Sequence, residues 1–214
     1  MLLAFDTATP LVTVALHDGT KVVAERRSDQ PLKHGEQLAP LIEQVMQDAG
    51  VDRLDLTAIA VGVGPGPFTG LRVGLVTART LGHVLEIPVY GVCTLDVIAA
   101  EAARGGQDSL DRPFLVATDA RRKEVYLASY DESGTRISGP VVDKPAALAT
   151  DAPVAGGGAA LYPEAFPSRI GPDEPSAAWL AQCVAAELVE LLDPEPLYLR
   201  RPDAVAPGAP KPVS

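Results

Sequence analysis

Residues 61–74, VGVGPGPFTGLRVG, constrain the fold of this chain more than any other stretch. An apolar run reads as a buried strand, the glycines and prolines after it as a turn, and the residues beyond as a helix launched from that turn. Along that helix Gly70, Gly74, Ala78 and Gly82 recur at four-residue spacing, which places them on one face. A glycine in a helix interior costs about 1 kcal/mol relative to alanine. Three on one stripe therefore imply close approach of another backbone, which the absence of side chains permits. Leu71 and Leu75 give the stripe an apolar rim. The approaching surface is either the chain's own sheet or another protein, and spacing alone leaves both open.

The same turn invites a phosphate-binding reading, since glycines before a helix can aim N–H groups at an anion. The residues argue against it. There is no GK[ST] ending and no GxGxxG spacing, and Pro65 and Pro67 remove two of the N–H donors such a cradle would use.

Around this element the order of secondary structure is regular. Strands are predicted at residues 2–6, 11–17 and 21–26, with Asp18-Gly19 as a hairpin turn between the last two. A helix follows over 35–49, where Leu38, Leu41, Ile42, Val45, Met46 and Ala49 repeat at helical spacing and Gly50 supplies the stop. A strand at 57–63, the glycine-striped helix, a strand at 88–92 and a helix to about 104, with Thr94 as its N-cap, complete the series. Three antiparallel strands, then helix, strand, helix, strand, helix is the order of a ribonuclease H-like lobe. A thinner second copy follows, with strands at 114–119, 124–130 and 135–142, a short helix at 144–150, and a strand at 153–157 entering the turn Gly156-Gly157-Gly158. Ser176 caps a further helix to about Leu192. The expected fold is α/β and two-lobed, of the ribonuclease H-like class that includes actin, Hsp70 and the sugar kinases (ASKHA), with a reduced second lobe. Its expected divisions are a first lobe over 1–104, a second over 105–175, a returning helix over 176–193, and a Pro-rich tail over 194–214. In that tail Leu197-Tyr198-Leu199 is an apolar island expected to dock, with the part beyond Arg201 largely disordered.

Composition narrows the function. The 214 residues are 47% hydrophobic with a formal net charge of −10. Tight direct binding of nucleic acid needs a basic surface, and the only basic cluster is Arg121-Arg122-Lys123, with a weaker pair at Arg200-Arg201; a partner would have to supply most of the grip. No apolar run approaches the length that crosses a bilayer, the start shows no basic n-region, and two cysteines in apolar stretches suit a reduced cytoplasm.

Catalytic candidates are few. Asp6-Thr7 ends the first strand and Asp119 ends its counterpart in the second lobe. A carboxylate pair across a cleft could hold Mg²⁺ and a nucleotide, which would make the chain a small kinase-like or ATPase domain; turn capping is the competing role. His17, His34 and His83 fall in three separate elements with no HExxH or HxxxH pair. Gln37 and Leu38 stand where a second ligand beside His34 would be. Cys93 has no histidine near it in sequence, and Cys183 reads as core.

Taken in order, FDTAT at residues 5–9, GPGPFTGLRVG at 64–74, GVCTL at 91–95, TDARRKEVY at 118–126 and PLYLR at 196–200 closely resemble the bacterial TsaB (YeaZ) family. The resemblance runs from the first strand to about Arg201. It implies a non-catalytic accessory subunit in the synthesis of threonylcarbamoyladenosine (t6A) at position 37 of tRNA. In that family the catalytic paralogue TsaD keeps the metal-binding histidines, the ATPase TsaE joins the pair, and TsaC makes the threonylcarbamoyl adenylate. Members lack a cofactor of their own, with ATP and Mg²⁺ bound only within the complex. They form homodimers when alone, contact tRNA mainly through the complex, have no membrane association, and are cytoplasmic. The resemblance further maps the partner surface onto the first two long helices, at Leu38, Leu41, Ile42, Val45, Gly70, Leu71, Gly74, Leu75 and Ala78, and leaves Asp6, Thr7 and Asp119 as vestigial nucleotide-facing positions. An older peptidase label for these proteins finds no support in these residues.

Overall fold

The computed structural model describes all residues except 29, 32, 106–109 and 201–214. Its first sheet has the order β3-β2-β1-β4-β5, from β1 (Leu2–Asp6), β2 (Thr13–His17), β3 (Val22–Arg27), β4 (Ala58–Gly64) and β5 (Val89–Cys93). β1, β2 and β3 pair antiparallel, whereas β4 and β5 extend the other side in parallel. Parallel neighbours need a crossover, and the helices α1 (His34–Ala49) and α2 (Phe68–Leu85) supply it.

Period-two alternation along β1 sends its side chains to two different cores. Leu3 and Phe5 pack with Leu16, Leu38, Val45, Leu71 and Ala78 under α1 and α2. Leu2 and Ala4 face Val97 of α3 (Thr94–Arg104) and Ala177, Leu180 and Ala181 of α5 (Ala177–Ala185). Because both faces are covered, every residue of β1 is buried, and the strand reads as a continuous apolar run rather than an alternating one.

The second sheet repeats this plan with one strand fewer. Its order is β8-β7-β6-β9, from β6 (Phe114–Asp119), β7 (Val125–Tyr130), β8 (Arg136–Asp143) and β9 (Val154–Ala155). The antiparallel meander and the parallel fourth strand reproduce β3-β2-β1-β4. Phe114, Val116, Tyr126 and Tyr130 pack on Leu95, Ile98 and Ala102 of α3, so α3 lies between the sheets and belongs to both cores. On the far face Ala117, Leu127 and Val154 meet Ala159 of α4 (Gly157–Leu161) and Phe166. The result is the two-lobed α/β ribonuclease H-like fold with a reduced second lobe.

Several local expectations need correction. Thr94 is inside α3 and Cys93 precedes it as the N-cap residue; the threonine hydroxyl bonds Asp6 instead of a helix N–H. The expected helix at 144–150 is a single 3₁₀ turn, Pro145–Ala147. The strand into the glycine turn is only two residues long, because the turn itself winds into α4. α5 stops at Ala185, seven residues short of Leu192, with Glu187 at φ +50° just beyond. The Ser176 hydroxyl does cap α5, accepting from Trp179 N–H. The apolar island docks: Leu197 N–H donates to Val63 O at 2.9 Å and Tyr198 stacks on Phe68. The expectation for the tail beyond Arg201 lies outside the described residues.

Candidate functional site

The carboxyl ends of β1 and β4 meet the start of α2 at a small buried polar cluster. Asp6 is 1% exposed. Its Oδ1 accepts the Ala8 N–H at 2.6 Å and its Oδ2 accepts the Thr94 hydroxyl at 2.8 Å, while Thr94 Oγ1 in turn accepts the Gly64 N–H at 3.3 Å. Burial pushes the Asp6 carboxyl above its usual range, opposed by these hydrogen bonds. Gly62 presses against it from β4, where a Cβ would lie 1.9 Å from Oδ2. Asp6 is thereby walled in by its own fold.

Thr7 and His34 are held equally firmly. The Thr7 hydroxyl donates to Gly70 O at 2.8 Å. His34 Nε2 lies 2.7 Å from Thr9 O, and since a carbonyl only accepts, Nε2 carries the proton in this bond. The Gly-Pro turn closes over these groups: a Cβ on Gly66 would stand 2.4 Å from Ala8 O, so the loop lies flat on the end of β1. That packing leaves no cradle for phosphate.

The stripe has the same explanation. A Cβ on Gly70 would meet Thr7 O at 2.4 Å, one on Gly74 would meet Thr7 Oγ1 at 2.5 Å, and one on Gly82 would meet the Val89 side chain at 2.3 Å. α2 closely approaches the chain's own Thr7, just past the end of β1, and Val89 of β5, and the glycines permit it. Leu38, Val45, Leu71, Leu75 and Ala78 are likewise core residues, and Leu41 and Ile42 are each only 9% exposed. All nine residues mapped to a partner, seven with side chains and two glycines, thus lie on the inner faces of α1 and α2, because helical periodicity gives an inner stripe to whichever surface lies beneath. Outward, α1 and α2 present Ala39, Glu43 and Gln47, and Arg72, Val76, Thr80 and Val84.

Between the lobes lies a cleft of about 460 Å³, lined from the first lobe by Thr9 and Pro67 and from the second by Thr118, Asp119 and Arg121, with Glu174 from the returning segment. Asp119 reaches this cleft and Asp6 does not, so the structure does not bring the two aspartates together as facing ligands. Asp119 is also occupied by its own turn: Oδ1 accepts the Arg121 N–H at 2.8 Å and Oδ2 lies 3.3 Å from the Arg121 guanidinium. Among the described residues no three of His, Cys, Asp and Glu are grouped to hold a metal ion. Burial raises the Glu174 carboxyl, with a Thr9 hydrogen bond opposing.

The remaining candidates are structural. Cys93 is fully buried and burial pushes its thiol to about 12, so it stays protonated at neutral pH; Cys183 behaves alike. Sequence reasoning missed a second buried cluster. Asp96 of α3 accepts the Tyr130 hydroxyl at 2.8 Å, and Arg136 of β8 lies 3.6 Å from it and 3.0 Å from Glu190. An acidic residue in the first turn of a helix was its only signal, and that signal also fits capping.

Residues 23–168 match the family model described as "TsaD: tRNA N6-adenosine threonylcarbamoyltransferase". An uncharacterized protein of Mycobacterium tuberculosis is 44% identical over 209 residues, covering 95% of this chain and 93% of its own length. The Escherichia coli protein named tRNA threonylcarbamoyladenosine biosynthesis protein TsaB is 40% identical over 136 residues, covering 62% of this chain and 57% of its own. Among solved structures, YeaZ from Pseudomonas aeruginosa superposes with a TM-score of 0.76 at 29% identity, over 92% of this chain and 99% of that one. With the Gly-Pro turn laid on the end of β1, the repeated β3-β2-β1-β4 sheet, and the Mycobacterium and Pseudomonas relatives matched at near full length, the chain belongs to the TsaB (YeaZ) family.

Proposed function

We propose that this chain acts in the formation of threonylcarbamoyladenosine in tRNA, as a non-catalytic subunit that holds and activates a TsaD-type catalytic paralogue. The name of the Escherichia coli relative supports the pathway. The closure of the Asp6 cluster supports the non-catalytic part. A carboxyl bonded by Thr94 and Ala8, and an imidazole committed to Thr9 O, leave neither group free to hold a metal or move a substrate proton. The charge of −10 fits a protein that meets tRNA through its complex rather than alone. Among the described residues no helix is long and apolar enough to cross a membrane.

The partner surface is the outward side of α1 and α2, where Val76 and Val84 of α2 are 62% and 70% exposed and lie about two turns apart on one broad face. Large exposed aliphatic side chains among polar neighbours suit an interface core. The same surface would serve a homodimer in the absence of the paralogue, with a TsaE-type ATPase joining the heterodimer and ATP bound only there.

The test is reconstitution. Purified alone with threonylcarbamoyl adenylate and tRNA, the chain makes no product; addition of the TsaD-type protein from the same cell gives modified tRNA. Val76→Glu with Val84→Glu abolishes both the complex on a sizing column and the product, with thermal stability unchanged. Modification by the isolated chain would overturn the non-catalytic role, and an intact complex with the double variant would overturn the surface.

A further inference from the structure

We infer that residues 192–200 form a strap which ties the outer face of α2 to the turn at the mouth of the cleft, so that a change at either end is transmitted to the other. The strap begins on the free edge of the first sheet. Leu192 and Gly91 exchange both backbone hydrogen bonds, each 2.8 Å. Gly91 permits this approach, since a Cβ there would stand 2.5 Å from Asp193 O. Glu195 then pairs with Arg79 of α2 at 2.8 Å. Leu197 N–H donates to Val63 O, and its side chain packs against both the core under α2 and the core between the sheets. The Tyr198 ring stacks on Phe68 at the start of α2 with centroids 5.4 Å apart, and the Arg72 guanidinium lies 3.7 Å from the Phe68 centroid.

Two residues later the chain is on the other lobe. Arg200 Nη1 donates to Ala120 O at 3.1 Å and the guanidinium pairs with Glu124. Ala120 and Glu124 close the β6–β7 turn, through Ala120 N–H to Glu124 O at 3.0 Å. Inside that turn Arg121, Arg122 and Lys123 have φ of +62°, +56° and +60°. Consecutive residues with side chains hold this left-handed region only where the surroundings fix it, and Arg200 grips the two residues that bracket them. Asp119 and Arg121, which line the cleft, are carried by the same turn. The strap is thus anchored at one end on α2 and at the other on a strained turn that shapes the cleft, through an unbroken series of hydrogen bonds, ion pairs and a ring stack. If α2 carries the partner surface proposed above, a partner would sit directly on the strap's first anchor.

The experiment uses the isolated chain, so its outcome is independent of any partner. Spin labels on Gln47→Cys in α1 and Glu164→Cys beyond α4 report the distance between the lobes, while Cys93 and Cys183, both 0% exposed, stay unlabelled. Amide exchange at Ala120 and Glu124 reports the turn. Tyr198→Ala combined with Glu195→Gln, which removes both the Phe68 stack and the Arg79 pair on α2 without touching the turn, should at least double the width of the distance distribution and speed exchange in the turn about tenfold. Arg200→Ala should do the same from the other end, and Arg200→Lys, which keeps the charge but loses the planar fork, serves if the alanine variant does not fold. The inference is overturned if the Tyr198→Ala, Glu195→Gln pair speeds exchange only around Leu197 and Phe68, leaving the turn and the distance as in wild type.

Discussion

Replacing Gly74 by alanine tests the packing of α2 with one methyl group. The new Cβ would stand 2.5 Å from Thr7 Oγ1, with the next atoms at 3.6 and 3.7 Å, so the whole conflict is with one hydroxyl. Thr7 is 1% exposed and its branched side chain has few alternative rotamers. To admit the methyl, the hydroxyl must leave Gly70 O, to which it donates at 2.8 Å. Stranding that buried pair costs about 1–3 kcal/mol. Alanine returns about 1 kcal/mol of helix propensity, so the net expectation is a loss of about 1 kcal/mol. Gly35→Ala on α1 is the control: nothing lies within 4 Å of its Cβ position, and it should gain about 0.5–1 kcal/mol. In a Thr7→Ala background the clash is gone, and Gly74→Ala should then stabilise, giving a coupling of about 2 kcal/mol across the cycle. Urea unfolding followed by circular dichroism reads these as midpoint shifts at constant slope. Gly74→Leu adds overpacking of about 1–3 kcal/mol more. If Gly74→Ala stabilises as Gly35→Ala does, the stripe does not face Thr7 and the packing account fails.

Other perturbations follow from the buried polar groups. Thr94→Val removes the hydroxyl that serves Asp6 and Gly64 at once and should cost about 2 kcal/mol; a loss below 0.5 kcal/mol, in the ~±0.5 kcal/mol range of surface changes, would contradict the closed cluster. Arg136→Met leaves Asp96 buried without its cation and should lose about 3 kcal/mol, whereas Arg79→Met breaks a pair more than half exposed on both sides and should change stability by about 0.5 kcal/mol or less; equal losses would refute the distinction. Burial, and then the Glu25 charge, raise the Glu101 carboxyl from 4.5 to about 7. Between those values the folded state binds more protons than the unfolded one, so this group's contribution falls as pH rises from about 4.5 to about 7 and is level above. Glu101→Gln should flatten that part of the curve of urea midpoint against pH; an unchanged slope there would show that Glu101 titrates normally.

The sequence specified the element series because periodicity is a local property. Alternating and 3.6-residue patterns, the Asp18-Gly19 turn and the Gly50 stop depend on neighbours a few residues away. The antiparallel meander followed by strands joined through helices then left little choice of topology. The short elements of the second lobe were less legible: a five-residue helix wound from Gly157 and Gly158 has no propensity to announce it, and is held by its packing on Ala117. The end of α5 was missed because Leu192, apolar and past Ala185, packs with the strap against both cores rather than on a helix face.

What the sequence by itself determined was the family, the two-lobed fold and the fact that α2 must be approached closely. It could not say by what. A stripe of small residues is equally legible to a sheet beneath it and to a helix of another molecule, and only the tertiary structure decided that Thr7, just past the end of β1, occupies the space. The same holds for Asp6, whose place at a strand end fits a metal ligand as well as a buried cap. Its role turned on Thr94, eighty-eight residues away in sequence and 2.8 Å away in space. Local pattern fixes which face of an element is apolar or bare; contacts between residues distant in sequence fix what that face meets, and so whether a carboxylate is open to chemistry or closed within the core.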